Sequence, residues 1–476
     1  MSRVCSQHSG DTRRAWSDFG IVAGLLMVVV LLSLPYALFG PNFILDDWFM
    51  LRGARFEGAL FGAGHEAALA RPGQWLVYVI EFGGIGRHPL AIFAVQVAVR
   101  GAIVVGLFQL LRPYTGSGRA AGVAVIWALF PNATALEYYA VGLNITVSLL
   151  LVITGGRFLT RAVDDDRAGV TASAFLVAAV LTYEATLPAA ALLVLLVPLL
   201  RRRVRWGRIA RDWALLAGAG LWIALHWNPS KPVLRSNSDL SPVIDAHFGW
   251  GVFPSGRVAT AGLAIALVAT AVAISCLVLP SFRGTVGAAE GLLAVGSVII
   301  AVGTVPFVRY FYEPLGVGDR VNVVSSVGAA MVWSGIGLRL LRWRPALLAG
   351  GVVFALLTIA VRVDRADTYA AAGAHVLDVL RTTRAEVPQP SGPIVLGPFP
   401  WLRTNVGGLL DRTAVTAALQ VDRDDPGIRG EHARTEADLQ RAPAELRLDL
   451  RRLRTYPPGQ GSYADLLRLR RPSGVR

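Results

Sequence analysis

The chain has 476 residues, of which 54% are hydrophobic and only 16% charged, with a formal net charge of +14. That balance excludes a soluble multidomain protein, and the two cysteines, Cys5 and Cys276, form neither a disulfide framework nor a metal-ligand spacing. The charge is almost all arginine, Lys231 being the single lysine, and it is scattered between apolar runs rather than gathered into a nucleic-acid-binding patch.

In chain order, Arg13 and Arg14 precede an apolar run at 20–40 that is longer than a signal-peptide core and lacks a small-residue cleavage site, so it reads as an uncleaved first span. Further runs long enough to span, or nearly so, fall at 88–111, 119–132, 141–160, 169–182, 185–200, 212–227, 258–280, 287–307, 322–341 and 346–362. The stretch 73–86, GQWLVYVIEFGGIG, is too short to cross and carries Glu81, which predicts an interfacial helix. Placing the N-terminus in the cytoplasm puts eighteen arginines in the cytoplasmic connections and nine arginines and lysines in the opposite loops. The positive-inside rule thus favours eleven spans with an outer C-terminus. From residue 364 the chain turns arginine-rich and acidic with Pro/Gly stretches. PIVLGPF reads as a short strand and RTEADLQRAPAELRLDLRRL as a charged helix.

The expected architecture is an all-α polytopic membrane protein with about eleven transmembrane helices and a small C-terminal soluble α/β domain. Residues 1–363 form the membrane part, with outer-face loops at 41–87, 228–257 and 308–321, and residues 364–476 lie outside the cell membrane. That topology brings Asp46 and Asp47, Glu137 and Glu184 to one membrane face, from three successive outer loops. Carboxylates at such depth are costly unless they pair, bind a cation or line a wet cavity. Asp47 also suits a helix cap at Trp48, which leaves Asp46 free. Glu137 beside Tyr138 and Tyr139 equally suits the end of a span. Arg71, Arg309, Tyr310 and Arg320 lie on the same face, and arginine forks grip a lipid-linked phosphate at depth. His65, His88, His226 and His247 show no zinc-site spacing.

The first span, the LDDW loop opening, the downstream RPGQWLVYVIEFGGIGRHPLAIFAVQ and the span ending in LFQLLRP resemble the GT-C superfamily of polyprenyl-phosphate-dependent membrane glycosyltransferases. This group includes protein O-mannosyltransferases and bacterial aminoarabinose transferases. The resemblance implies that Asp46 or Asp47 corresponds to the catalytic acid of the first outer loop, that Arg71 and Pro72 match the element before an interfacial helix, and that Glu137 falls where a second acidic site is common. It implies a transferase of the cell membrane that takes a sugar from a polyprenyl-phosphate-linked donor and passes it to a cell-envelope glycan, lipid or protein, with no nucleic-acid partner. On this reading Asp46, Asp47 and Glu137 are catalytic, and Arg71, Glu184, Arg309, Tyr310 and Arg320 bind substrate. A divalent ion on Asp46 and Glu137 would be Mg²⁺ or Mn²⁺, which prefer hard oxygen ligands. A transporter or flippase would use the same carboxylates as ion or proton sites, and predicts acids at mid-membrane in broken spans.

Overall fold

The computed structural model describes residues 2–58, 60, 68–131, 133–162, 165–201, 203–226, 287–304, 317–340, 344–390, 392–397, 412–432, 441 and 447–449. The expected span at 258–280 and the whole loop 228–257 lie outside the described residues, as do Arg309 and Tyr310. The first helices are α1 (Ser2–Phe39), α2 (Asp46–Phe56), α3 (Pro72–Tyr78), a π-helical segment (Val79–Ile85), α4 (Pro89–Thr115) and α5 (Ser117–Leu129). Next come α6 (Ala135–Tyr138), a 3-10 turn (Ala140–Gly142), α7 (Leu143–Ala162), α8 (Asp166–Thr182), a second 3-10 turn (Glu184–Thr186), α9 (Leu187–Leu200) and α10 (Trp206–His226). The chain continues with α11 (Ala288–Thr304), a 3-10 segment (Val317–Asn322), α12 (Ser325–Leu340) and α13 (Arg344–Glu386). It ends with β1 (Ile394–Gly397), α14 (Arg412–Arg423), β2 (Gly430–His432) and β3 (Arg447–Asp449).

Asp18–Phe39, Pro89–Thr115 and Ala140–Ala162 are long and apolar enough to cross a bilayer, with Ser117–Leu129, Glu184–Leu200 and Ala288–Thr304 as shorter apolar helices. Their surroundings explain the composition. In α1 only 22% of the most apolar window is buried, and Leu26, Met27, Val30, Leu31 and Leu34 face outward. Leu221, Trp222 and Leu225 of α10, and Val352, Val353, Leu356 and Leu357 of α13, do the same. Outward apolar faces on that scale suit lipid rather than water.

Helices α11 and α12 meet through small residues. A Cβ added at Gly296 would lie 2.6 Å from the Gly328 carbonyl oxygen, and one at Gly303 would lie 2.7 Å from the Ser325 amide, so only glycine allows this approach.

The expected domain boundary at 364 falls inside α13, which runs unbroken to Glu386. Its Tyr369, Val376 and Leu380 join Tyr36, Phe43, Trp48, Tyr78 and Phe82 in one core, together with β1 and α14. Among the described residues the three strands form a parallel sheet of order β2-β1-β3. Residues 447–449, expected within a charged helix, form strand β3, because Arg447 and Leu448 pair with Val395 and Leu396. The PIVLGPF segment contributes β1. α2 docks on this region through Arg52 Nε donating to Gln420 Oε1 at 2.6 Å and Arg55 donating to both oxygens of Asp424 at 2.8 and 2.7 Å.

Candidate functional site

The chain leaves α1 and turns back through Leu45, whose φ of 48° and ψ of −121° are a conformation that side chains rarely adopt. Asp47 holds this turn. Its Oδ2 accepts from the Ile44 amide at 3.0 Å and its Oδ1 from the Val141 amide at 2.9 Å, joining the start of α2 to the 3-10 turn 140–142. The residue is fully buried, and burial, opposed by those two N–H groups, pushes its carboxyl up to about 8. Asp46, one position earlier on a helix, necessarily points elsewhere, and it is exposed.

Asp46 acts on groups from three other segments, Arg320, Tyr139 and Tyr78. Arg320, in the 3-10 segment before α12, is flanked by Tyr139, Tyr183, Asp46 and Tyr78; burial alone would lower its pKa, and these neighbours hold it raised. Burial, then Asp46 and Asp47, push the Tyr139 hydroxyl well above its ordinary value. Among the described residues Asp46 and Arg320 make no direct ion pair, yet Asp46 is one of the neighbours that hold the Arg320 guanidinium's pKa raised.

Arg71 forms the far side. It is paired with Glu184, donates to Gln74 Oε1 at 3.2 Å, and lies 5.8 Å from the Tyr183 ring centroid. Gln74 donates onward to the Tyr78 hydroxyl at 2.8 Å. The RPGQW sequence makes this possible. Pro72 starts α3, where a missing N–H costs nothing, and Gly73 lets the helix touch the end of α8, since a Cβ there would sit 2.9 Å from Thr182 Cα.

Glu137 is elsewhere. Its carboxylate is closed between Arg100 and Arg362, with Ser33 Oγ at 3.4 Å, and all three charged groups are buried. Arg100 also donates to the Ala128 carbonyl at 2.5 Å, and Arg362 to the Phe130 carbonyl at 3.2 Å. Glu137, expected on the same face as Asp46, belongs to a separate ion triad with Arg100 and Arg362. This arrangement does not fit a divalent ion shared by Asp46 and Glu137, because two guanidiniums already hold the second carboxylate. Among the described residues no three His, Cys, Asp or Glu side chains gather at metal-binding distances.

Residues that sequence reasoning passed over include Tyr78, Tyr183 and Gln74, which carry no spacing signal, while Tyr139 was read only as part of a span end. Arg100 and Arg362 did carry one, as arginines within or at the end of apolar runs. Glu81 was seen only as a polar interruption. It sits on the π-helical segment, is fully buried, and neither of its oxygens has a partner among the described residues. Burial first, then the nearby Asp47, push its carboxyl well above the usual range.

The chain matches no protein-family profile and no curated protein. Among solved structures it is similar to ArnT from Cupriavidus metallidurans bound to undecaprenyl phosphate, at 13% sequence identity and a TM-score of 0.38, over 92% of this chain and 90% of that one.

Proposed function

We propose that the chain is a membrane glycosyltransferase that moves a sugar from a polyprenyl-phosphate carrier to a hydroxyl of a cell-envelope glycan, lipid or protein on the outer face of the cell membrane. The observation that supports this reading is the exposed Asp46 carboxylate acting on the Arg320 guanidinium, with Tyr139 and Tyr78 near both and the Arg71–Glu184 pair joined to Tyr78 through Gln74. The N-terminus lies in the cytoplasm and the residues from 364 onward lie outside, as the arginine distribution suggests.

In this mechanism the acceptor oxygen attacks the anomeric carbon while the bond from that carbon to the phosphate oxygen breaks, and the carbon inverts. The acceptor proton passes to Asp46, acting as general base. The phosphate leaves with the bonding electron pair, and Arg320, whose fork stays charged when buried, stabilises the oxygen on which charge develops. Arg71, oriented by Glu184 and Gln74, holds the phosphate from the other side. Arg309 and Tyr310 belong to the same expected substrate-binding loop as Arg320. Asp47 keeps Asp46 aimed by fixing the turn, and Glu137 fixes the helices behind the site.

The deciding assay is transfer of radiolabelled sugar from polyprenyl phosphate in membranes carrying single variants. Asp46→Asn and Arg320→Gln are expected to lower the rate by about 10²- to 10³-fold at unchanged protein level. Full activity in both would remove the proposal.

A further inference from the structure

A second polar cluster sits at the opposite end of the bundle. Gln96 of α4 donates to the Tyr139 carbonyl beside the Asp46 cluster, whereas Arg112 lies sixteen residues further along the same helix, about 24 Å away. There Gln109, Arg112, Arg157, Thr160, Arg161 and Arg201 line a cleft of about 700 Å³. Of the four arginines, Arg112 is paired with Asp18. Arg157 and Arg161 stand one helical turn apart on α7, and neither makes an ion pair among the described residues. Like charges at that spacing repel unless an anion lies between them. Arg201 rests 5.2 Å from the Tyr114 ring centroid, also with no acidic partner among the described residues. The cleft further holds a buried acceptor, Gln109 Oε1, that has no hydrogen-bond partner among the described residues.

Beside it runs an apolar groove of about 490 Å³ between α4, α7, α9, α11 and α12, lined by residues such as Leu110, Leu196, Leu292 and Ile299. Tyr114 and Leu200 line the groove, while Arg201, stacked on the first and adjacent to the second, lines the cleft. Along α11 the groove extends from Ala288 to Val302, about 21 Å, longer than one leaflet of the hydrocarbon core. Basic pockets between membrane helices, on the side where arginines are most frequent, hold anionic headgroups.

We propose that the cleft and groove together form a binding site for an anionic phospholipid with a hydroxyl-bearing headgroup: the phosphate sits among Arg157, Arg161 and Arg201, and an acyl chain lies in the groove. A headgroup hydroxyl supplies the donor that Gln109 Oε1 lacks, which a fully ionised phosphate cannot. The site is independent of whichever reaction the Asp46 cluster performs.

Native mass spectrometry of the full-length protein in detergent, titrated with phosphatidylglycerol or phosphatidylcholine of matched chains, reads the site directly. The native chain should retain phosphatidylglycerol at least tenfold more tightly than phosphatidylcholine. The double variant R157Q/R161Q should lose that preference, whereas Arg205→Gln, an exposed arginine paired with Asp166, should keep it. Gly291→Leu tests the groove without disturbing packing, since a Cβ there meets no atom within 4 Å. It should weaken phosphatidylglycerol about tenfold while its melting temperature stays native, and it decides the matter if the arginine variant does not fold. Equal retention of the two lipids by the native chain, or native affinity in R157Q/R161Q and in Gly291→Leu, overturns the proposal. Displacement of the lipid by equimolar glycerol 3-phosphate also overturns it, assigning the cleft to a soluble phosphate ester instead.

Discussion

Neighbouring carboxylates on the first turn of a helix point about 100° apart, and at Asp46 and Asp47 that angle separates two chemical environments. One side chain is exposed; the other is buried and bonded to two amides. Asp47→Asn is therefore expected to act through the turn. An amide can satisfy only one of the two N–H groups as an acceptor, so the variant should melt lower, by the equivalent of about 1–3 kcal/mol, and lose transfer only in proportion to misfolded protein. Asp46→Asn should melt like the native chain and fail in transfer. Equal melting with equal activity loss in both variants would break the distinction. The pair itself was legible as acids emerging from a span, but Asp47 does not cap the helix as the sequence suggested; it holds the preceding turn to Val141, nearly a hundred residues away, which no local pattern shows. Glu81 makes a sharper prediction. Its folded pKa is raised, so the stability it contributes is fully present below the ordinary carboxylate range near ~4 and is lost as pH rises through the folded value. Asp47 behaves the same way, its loss completed around its value of about 8. Glu81→Gln removes the ionisable group, so its melting temperature should exceed that of the native protein at pH 8 and approach it at pH 5. A lower melting temperature at pH 8 would show that the carboxylate has a cation or donor partner in the folded protein.

At the scale of elements, apolarity reported the solvent rather than the conformation. Runs at 20–40, 88–111 and 141–160 were legible because each is a helix long and apolar enough to cross a bilayer. At 364, where the composition changes, the helix does not: α13 leaves its apolar surroundings near Arg362 and continues as an alanine-rich helix packed on α2's core. Strand β3 was invisible to periodicity because three residues form a strand only when a partner, here β1, supplies the hydrogen bonds. The π-helical segment likewise has no local signature; its Ile80 faces outward while Glu81 and Phe82 turn inward. The α11–α12 contact gives a test at this scale. Gly328 faces the Gly296 backbone, so Gly328→Leu must separate the helices, and helix pairs held by close backbone approach lose their association when small residues are enlarged. The variant should unfold at lower temperature in detergent, while Gly337→Leu, where an added Cβ meets nothing within 4 Å, should not. Equal melting of the two would mean that the close approach contributes nothing to stability.

Across the whole molecule, three distant stretches of chain are locked at one point: Arg100 from α4, Glu137 from α6 and Arg362 from α13, buried together behind the Asp46 cluster. Burying an ion triad is costly, and its return is specific placement rather than net stability. Two roles for Glu137 are thus separable. If it only fixes the helices, Glu137→Gln leaves two guanidiniums facing each other in a dry interior and should destabilise the protein by about 3–5 kcal/mol, with activity falling alongside folded protein. Replacing all three residues by methionine removes the charges together and should restore much of the melting temperature, because apolar side chains of similar volume are tolerated where an unpaired charge is not. A triple variant that melts like the native chain and still transfers sugar would assign Glu137 to the architecture. The same variant, folded but inactive while Arg100→Met with Arg362→Met alone is equally stable, would return Glu137 to the reaction centre and require the chain to open there during turnover.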